Sequence, residues 1–346
     1  MNTVAPTARA TRVHLMTRVE ERLSTFLAGE HARWSAVDVR AARPVDAVAD
    51  LVAAGGKRLR PAFCLSGFLA AGGDPADQLI VDASAGLELV HVAALIHDDV
   101  LDASALRRGA ATVHAHYTTV HAARRWQGES RRYGEGVAIL SGDLADVYAD
   151  RLAQDLPPRA RQIWGELRTE IIIGQYLDVA VAAEFVVDPE LSRWIAVCKS
   201  GRYSIHQPLV LGAALAGRDD LAPAFEEYGA ALGEAFQLRD DLIDAFGDST
   251  AAGKPVGLDF EQHKMTLLLT RAAQRDERVR ALVSGGDWDP LALRDLLVEI
   301  GAAAEIERHI DELAGRARRA IGRAPIDHAW REELADMAID VAYRNR

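Results

Sequence analysis

Apolar residues return every three or four positions through most of the chain. Leu87, Val90, Ala94 and Leu101 keep one such stripe, and Ile163, Leu167, Ile171 and Gly174 keep another. That is the period of an α-helix with one buried face. No segment alternates apolar and polar residues for the length of a strand, and no Asn-Gly pair joins two such segments. Breaks at Gly55-Gly56, Gly72-Gly73-Asp74-Pro75, Pro157-Pro158, Asp188-Pro189, Gly217-Arg218-Asp219-Asp220, Gly253-Lys254-Pro255 and Gly285-Gly286-Asp287 cut the pattern. They leave roughly ten helices of ordinary length. The stretch His121 to Arg132 is polar and Arg-rich, with a single Trp126, and reads as a loop or insertion between two helices. No break resembles a long linker and no repeat recurs, so one helical domain over 13–346 is expected, behind a frayed tail over 1–12.

Composition narrows the class. Of 346 residues, 49% are hydrophobic and 26% charged, which suits a large core and excludes bulk disorder. Aromatics are only 6%, and the abundance of Ala and Leu favours helix over sheet. The 40 Lys and Arg stand against 51 Asp and Glu, a formal charge of −11, which argues against a nucleic-acid partner. Two cysteines, Cys64 and Cys198, make no disulfide framework and favour a reducing cytoplasm. No uncharged apolar stretch reaches the length of a membrane span, and the tail, with Arg9 and Arg12, lacks the apolar segment of a secretory signal.

The chemistry gathers in a few clusters. Asp98-Asp99-Val100-Leu101-Asp102 follows an apolar run, and positions four apart share a helix face, so Asp98 and Asp102 are neighbours. Two carboxylates repel unless a hard divalent cation neutralises them. Asp240-Asp241-Leu242-Ile243-Asp244 repeats the spacing after another apolar segment. One such motif is weak, and a solvated acidic helix end explains it equally well. Two together point to Mg²⁺, which prefers to bridge carboxylates and substrate phosphates, and so to a diphosphate ligand. Gly55-Gly56-Lys57-Arg58-Leu59-Arg60-Pro61 crowds three cations before a helix N-terminus, a position that favours an anion. Arg107-Arg108-Gly109 offers planar forks for phosphate oxygens. His91 lies seven residues before Asp98, on the same stripe, and Gln237 shares the face of Asp240 and Asp244. Lys199-Ser200, Lys254 and Lys264 supply further polar groups for a polyanion. Singly, each of these reads as surface.

In this order the motifs resemble the trans-isoprenyl diphosphate synthase (polyprenyl synthetase) family, most of all its geranylgeranyl diphosphate synthases. The match runs through Gly56 to Pro61, Glu88-Leu89-Val90-His91, Asp98 to Asp102, Arg107-Arg108-Gly109, Gly142-Asp143, Gly174-Gln175 with Asp178, and Lys199-Ser200. It closes with Phe236-Gln237-Leu238, Asp240 to Asp244, Gly253-Lys254-Pro255 and Lys264. The resemblance implies an all-α isoprenoid synthase fold, a large antiparallel helical bundle around a deep central cavity, usually as a homodimer. It implies a prenyltransferase that joins isopentenyl diphosphate to an allylic diphosphate (dimethylallyl, geranyl or farnesyl). Asp98, Asp102 and Asp240 then hold Mg²⁺, three ions to a site, with Asp99, Asp241 and Asp244 in support. Lys57, Arg60, His91 and Arg108 match the isopentenyl diphosphate contacts. Arg107, Lys199, Gln237, Lys254 and Lys264 match the allylic ones, with Ser200 where the family usually has Thr. Asp98, Asp102, Asp240, Lys199 and Gln237 carry the catalysis. Ala93 and Ala94, just before Asp98, replace the aromatic of short-chain members, which implies products of C20 or longer. Two other readings are a class I terpene cyclase and a non-catalytic partner of another synthase. The retained pair of acidic motifs speaks against both.

Overall fold

A computed structural model describes residues 6–344 apart from 185, 248–256, 263, 286 and 287, with the backbone alone at 200 and 258. The described residues form sixteen α-helices, a π-helical segment, one 3₁₀ turn and a two-stranded ribbon. The all-α expectation holds, with more pieces than the breaks suggested. Asp276 shows why: it ends the helix Leu267–Arg275, and its side chain then caps the helix Glu277–Ser284 by accepting from the Arg278 N–H.

Two compact units divide the chain, Met1–Leu65 with Gly73–Arg161, and Ser66–Gly72 with Gln162–Arg346. In the first, helix α1 (Ala8–Ser35) starts five residues before the expected start of the domain. Thr7 caps it through the Ala10 N–H at 3.2 Å, so residues 8–12 are helical. Its buried Leu15, Val19, Leu23 and Leu27 recur every fourth residue. Helices α2 (Arg43–Ala53) and α3 (Leu59–Ala70) follow, and then α4 (Gln78–Leu101), capped by Asp77. Helices α1, α2, α5 (Val113–Ala123) and α6 (Ser130–Leu152) pack around α4. A helix covered on every side is apolar on every side. As a whole, α4 is therefore long and apolar enough to cross a membrane, contrary to the reading of uncharged runs alone. Most of it is buried inside the fold, which makes it a core helix.

The stretch His121 to Arg132 is less of an insertion than expected. Helix α5 runs on through Ala123 and α6 begins at Ser130. His121 is buried and its Nε2 donates to the Gln127 carbonyl, 3.0 Å away, and its ring meets those of Trp126 and Tyr133. An aromatic cluster thus shortens the loop to six residues, 124–129.

In the second unit the elements are α7 (Pro158–Glu184), α8 (Pro189–Ala196), the π segment Val197–His206, α9 (Gln207–Leu215) and α10 (Ala222–Phe246). Then come α11 (Leu258–Glu261), α12 (Leu267–Arg275), α13 (Glu277–Ser284), α14 (Pro290–Glu299), α15 (Ala302–Gly322) and α16 (His328–Ala342). Helix α10 is central here, against the π segment, α15 and α16. A Cβ on Gly201 would lie 2.7 Å from the Gly233 Cα, and one on Gly229 would lie 2.6 Å from the His206 Cβ. Glycine lets the two backbones touch, and this contact fixes Lys199 relative to the acidic end of α10.

Candidate functional site

The first acidic cluster closes α4. Asp98 and Asp99 sit in its last turn and Asp102 is the C-cap. Ala103 adopts a left-handed φ of 49°, the Ser104 N–H bonds the Asp99 carbonyl at 2.9 Å, and the Ala103 N–H bonds that of Val100 at 3.2 Å. This is a Schellman stop with alanine in the glycine position, a strain of ~1 kcal/mol or more. Asp99 is buried, while Asp98 and Asp102 are half-buried. Arg107 donates to Asp99 at 2.8 Å and to Asp98 at 3.4 Å. Burial pushes the Asp99 carboxyl up from its ordinary range, against the pull of Arg107. His97, one residue upstream, lies 3.2 Å from the Ile139 carbonyl and 3.5 Å from Asp143. A Cβ on Gly142 would come within 2.5 Å of that ring, which explains the Gly142-Asp143 pair.

Next to it in the same unit is a basic cluster. Leu106–Arg107 and Ala110–Ala111 form a short antiparallel ribbon, and Arg108 and Gly109 turn it with φ of 53° and 78°. Two positive φ values make a type I′ turn, written here as Arg-Gly rather than the Asn-Gly that sequence reading looks for. The Arg108 guanidinium donates to the Gly55 carbonyl, and a Cβ on Gly56 would strike its Nη2 at 2.7 Å. Arg58 turns inward to ion-pair with buried Glu88 and to bond the Val52 carbonyl at 2.6 Å. Arg60 is half-buried and Lys57 exposed. His91 is held well below its ordinary pKa, first by burial, then by the charges of Arg60, Arg108, Arg107 and Arg58. The structure thus brings Arg60, His91 and Arg108 together with Arg107, and adds Arg58 as the brace on Glu88. Four guanidiniums around one neutral imidazole are an anion-binding arrangement.

The second acidic cluster lies on α10. Asp241 is buried, accepting from Gln237 at 2.8 Å and from the Leu268 N–H at 3.1 Å. Burial, then repulsion from Asp259 and Asp240, pushes it up to about 7 despite these bonds. Asp244 is also buried and accepts from the Asp259 N–H at 3.1 Å, so it fastens the start of α11. Asp240 is half-exposed and ion-pairs with Arg344. The Lys199 ammonium sits 2.6 Å from Asp178, and that of Lys264 3.9 Å from Asp259. Lys199, Asp178, Gln237, Asp241, Asp259 and Lys264 line one pocket. Lys199 stands in a π turn, a rarity found most often at functional sites. Sequence reading missed Asp259 and Arg344 as members. Lys254 lies outside the described residues, and only the backbone of Ser200 is described. Ala93 is buried and Ala94 half-buried, one turn before Asp98.

The six aspartates present oxygen donors alone, which suits a hard divalent cation and not zinc. Among the described residues no three His, Cys, Asp or Glu converge on a single point. Instead an arginine stands at each cluster, Arg107 at Asp98 and Asp99 and Arg344 at Asp240.

Comparison with known proteins supplies a family. The polyprenyl synthetase family model matches residues 43–286. A short chain isoprenyl diphosphate synthase of Methanothermobacter thermautotrophicus is 32% identical over 273 residues, 75% of this chain and 78% of the relative. A geranylfarnesyl diphosphate synthase of Aeropyrum pernix is 30% identical over 305 residues, 84% of this chain and 90% of the relative. The structure of geranylgeranyl pyrophosphate synthase from Corynebacterium glutamicum, complexed with isoprenyl diphosphate and magnesium, superposes with a TM-score of 0.88 at 34% identity. That superposition covers 94% of this chain and 97% of the other.

Proposed function

The chain belongs to the polyprenyl synthetase family, with its all-α isoprenoid synthase fold, and is a prenyltransferase that makes prenyl diphosphates; from that premise we propose that it condenses isopentenyl diphosphate with dimethylallyl, geranyl or farnesyl diphosphate. The product is an all-trans chain of C20 or longer, geranylgeranyl diphosphate first among them. The observation that carries this reading is the pair Arg60 and Arg108 beside neutral His91. It suits one diphosphate, the Lys199–Asp241 pocket on α10 suits another, and a reaction of two diphosphates needs two sites. A terpene cyclase has no use for the first of them, and a non-catalytic partner has no use for either.

Asp98, Asp102 and Asp240 would hold Mg²⁺, three ions in all, with Asp99, Asp241 and Asp244 in support. Bound there, Mg²⁺ would draw charge from the allylic diphosphate. Arg107, Lys199, Gln237, Lys254 and Lys264 bind that diphosphate and stabilise the charge that builds on it as its C–O bond breaks. Lys57, Arg60, His91 and Arg108 hold isopentenyl diphosphate so that its double bond attacks the allylic cation. The proton released from the condensed product passes to the departed diphosphate. His91, held neutral by burial, donates a hydrogen bond without competing for that proton.

The chain from α1 onward acts as one catalytic domain, in the cytoplasm. Cys64 and Cys198, both buried thiols, suit a reducing compartment. The assembly is a homodimer: Ile172, Ile173, Tyr176 and Val179 are 65%, 46%, 65% and 43% exposed along α7, an apolar stripe that a second copy would cover. Incubation with isopentenyl diphosphate and each allylic primer, followed by sizing of the products, tests the reading. Wild type is expected to reach C20 or beyond, and Ala94→Phe to stop short of it while still turning over. Absence of condensation refutes the function, and arrest of wild type at C15 refutes the product length.

A further inference from the structure

Beyond the end of α16, Arg344 reaches back to the second acidic cluster. Its guanidinium ion-pairs with Asp240, and the side chain is only 7% exposed. Its Nη2 donates to the Phe236 carbonyl at 3.3 Å, and the guanidinium carbon lies 3.7 Å from the centre of the Phe236 ring. Its Nε is buried without a partner. A buried donor left unmade is unfavourable, so this seat is a good but incomplete one for arginine.

The backbone that delivers Arg344 is held by other residues. Arg239 donates its Nε to the Ala342 carbonyl at 2.8 Å and grips Glu307 with both terminal nitrogens, at 2.6 and 2.5 Å. Tyr343 bonds Asp311 at 2.6 Å. The end of α16 therefore stays in place whether or not Arg344 is bound, and the guanidinium can leave on its own.

An arginine and a divalent ion are alternative ways to neutralise one carboxylate, and both cannot occupy the same oxygen. We propose that Arg344 is a displaceable counter-cation: it neutralises Asp240 in the ion-free chain and releases it when a divalent ion binds. The proposal rests on Asp240 being a metal ligand. Because such competition is reciprocal, ion binding releases the Arg344 side chain, and loss of Arg344 favours ion binding.

The test is Mn²⁺ titration without substrate, read by the electron paramagnetic resonance of free Mn²⁺, on wild type, R344A, D240A and the double variant. R344A should bind roughly three- to tenfold more tightly, the effect of removing one charge-assisted competitor. The gain should vanish when D240A is also present. In wild type, Mn²⁺ should speed tryptic cleavage after Arg344, seen by mass as loss of the Asn345-Arg346 dipeptide. Unchanged or weaker binding in R344A, with D240A still impaired, overturns the counter-cation and leaves the metal site standing. Wild-type binding by D240A overturns the metal assignment itself, and the proposal with it.

Discussion

Gly233→Ala adds one methyl group where two backbones touch. The new Cβ would lie 2.9 Å from the carbonyl carbon of Gly201 and closer still to its Cα. Neither side offers a flexible side chain that could yield, so α10 and the π segment must part by about 1 Å. Overpacking of this kind costs about 1–3 kcal/mol. The helix propensity of alanine returns about 1 kcal/mol, leaving a net loss of up to ~2 kcal/mol. The effect on turnover should be larger than the effect on stability. Lys199 lies two residues before Gly201, Gln237 lies one turn after Gly233, and both line the same pocket. Parting the segments moves them away from each other, and a misplacement of ~1 Å can reduce turnover about a hundredfold. Gly165→Ala is the control: it is also a helical glycine, but its added Cβ would meet nothing within 4 Å. That variant should gain roughly 0.5–1 kcal/mol and keep full activity. Urea unfolding midpoints and steady-state kinetics on both variants decide the matter. If Gly233→Ala matches wild type in kcat, or if Gly165→Ala loses as much stability as Gly233→Ala, the close approach does not position the site.

Asp98→Ala and Asp240→Ala should each lower kcat by on the order of 10²-fold or more with the fold intact, and chelation of divalent ions should abolish turnover of wild type; near-normal rates in either variant would remove the metal role. Arg60→Ala should raise KM for isopentenyl diphosphate about tenfold or more, and much less for the allylic substrate, since it deletes one of the cations around His91; the opposite ranking in two-substrate kinetics would exchange the two sites. Buried Glu234 accepts from Arg193 at 3.0 Å and from His309 at 3.2 Å, and although burial alone would raise it, these bonds and charges hold it down at about 2. A depressed carboxyl stabilises the fold above its unfolded pKa of ~4.3 and loses that contribution as pH falls toward 2, roughly 3 kcal/mol in all. Glu234→Gln should therefore be less stable than wild type at pH 7, and the gap should narrow steadily as pH falls from 5 toward 2 in urea titrations; parallel curves would show that Glu234 contributes no such dependence.

What the sequence revealed was local. Apolar stripes, the two acidic motifs and the cations before α3 are all written within a turn or two of the residues they concern. Arg344 meets Asp240 from 104 positions away, and no periodicity encodes that. Glu234 gathers Arg193 and His309 from 41 and 75 positions away for the same reason. Other features have a local cause but an unusual spelling. Ala103 ends α4 in a conformation normally left to glycine, and Arg108-Gly109 makes a turn usually written with asparagine. Nothing in the sequence near Gly201 or Gly233 pairs them, and only their juxtaposition shows that they are a contact.

A π turn closes one residue later than an α turn, which amounts to an extra residue carried inside a helix. In an α-helix each residue advances the chain by ~100° about the axis. Deleting any one of the ten residues from Val197 to His206 would let the segment relax to ordinary helix. Everything upstream would then swing round relative to α9, and Gly201 could not stay on Gly233 while Lys199 stayed beside Asp178. Substitutions at the outward positions of this segment should be absorbed readily. Insertions and deletions should not, so natural variation here is expected to change letters and keep their number.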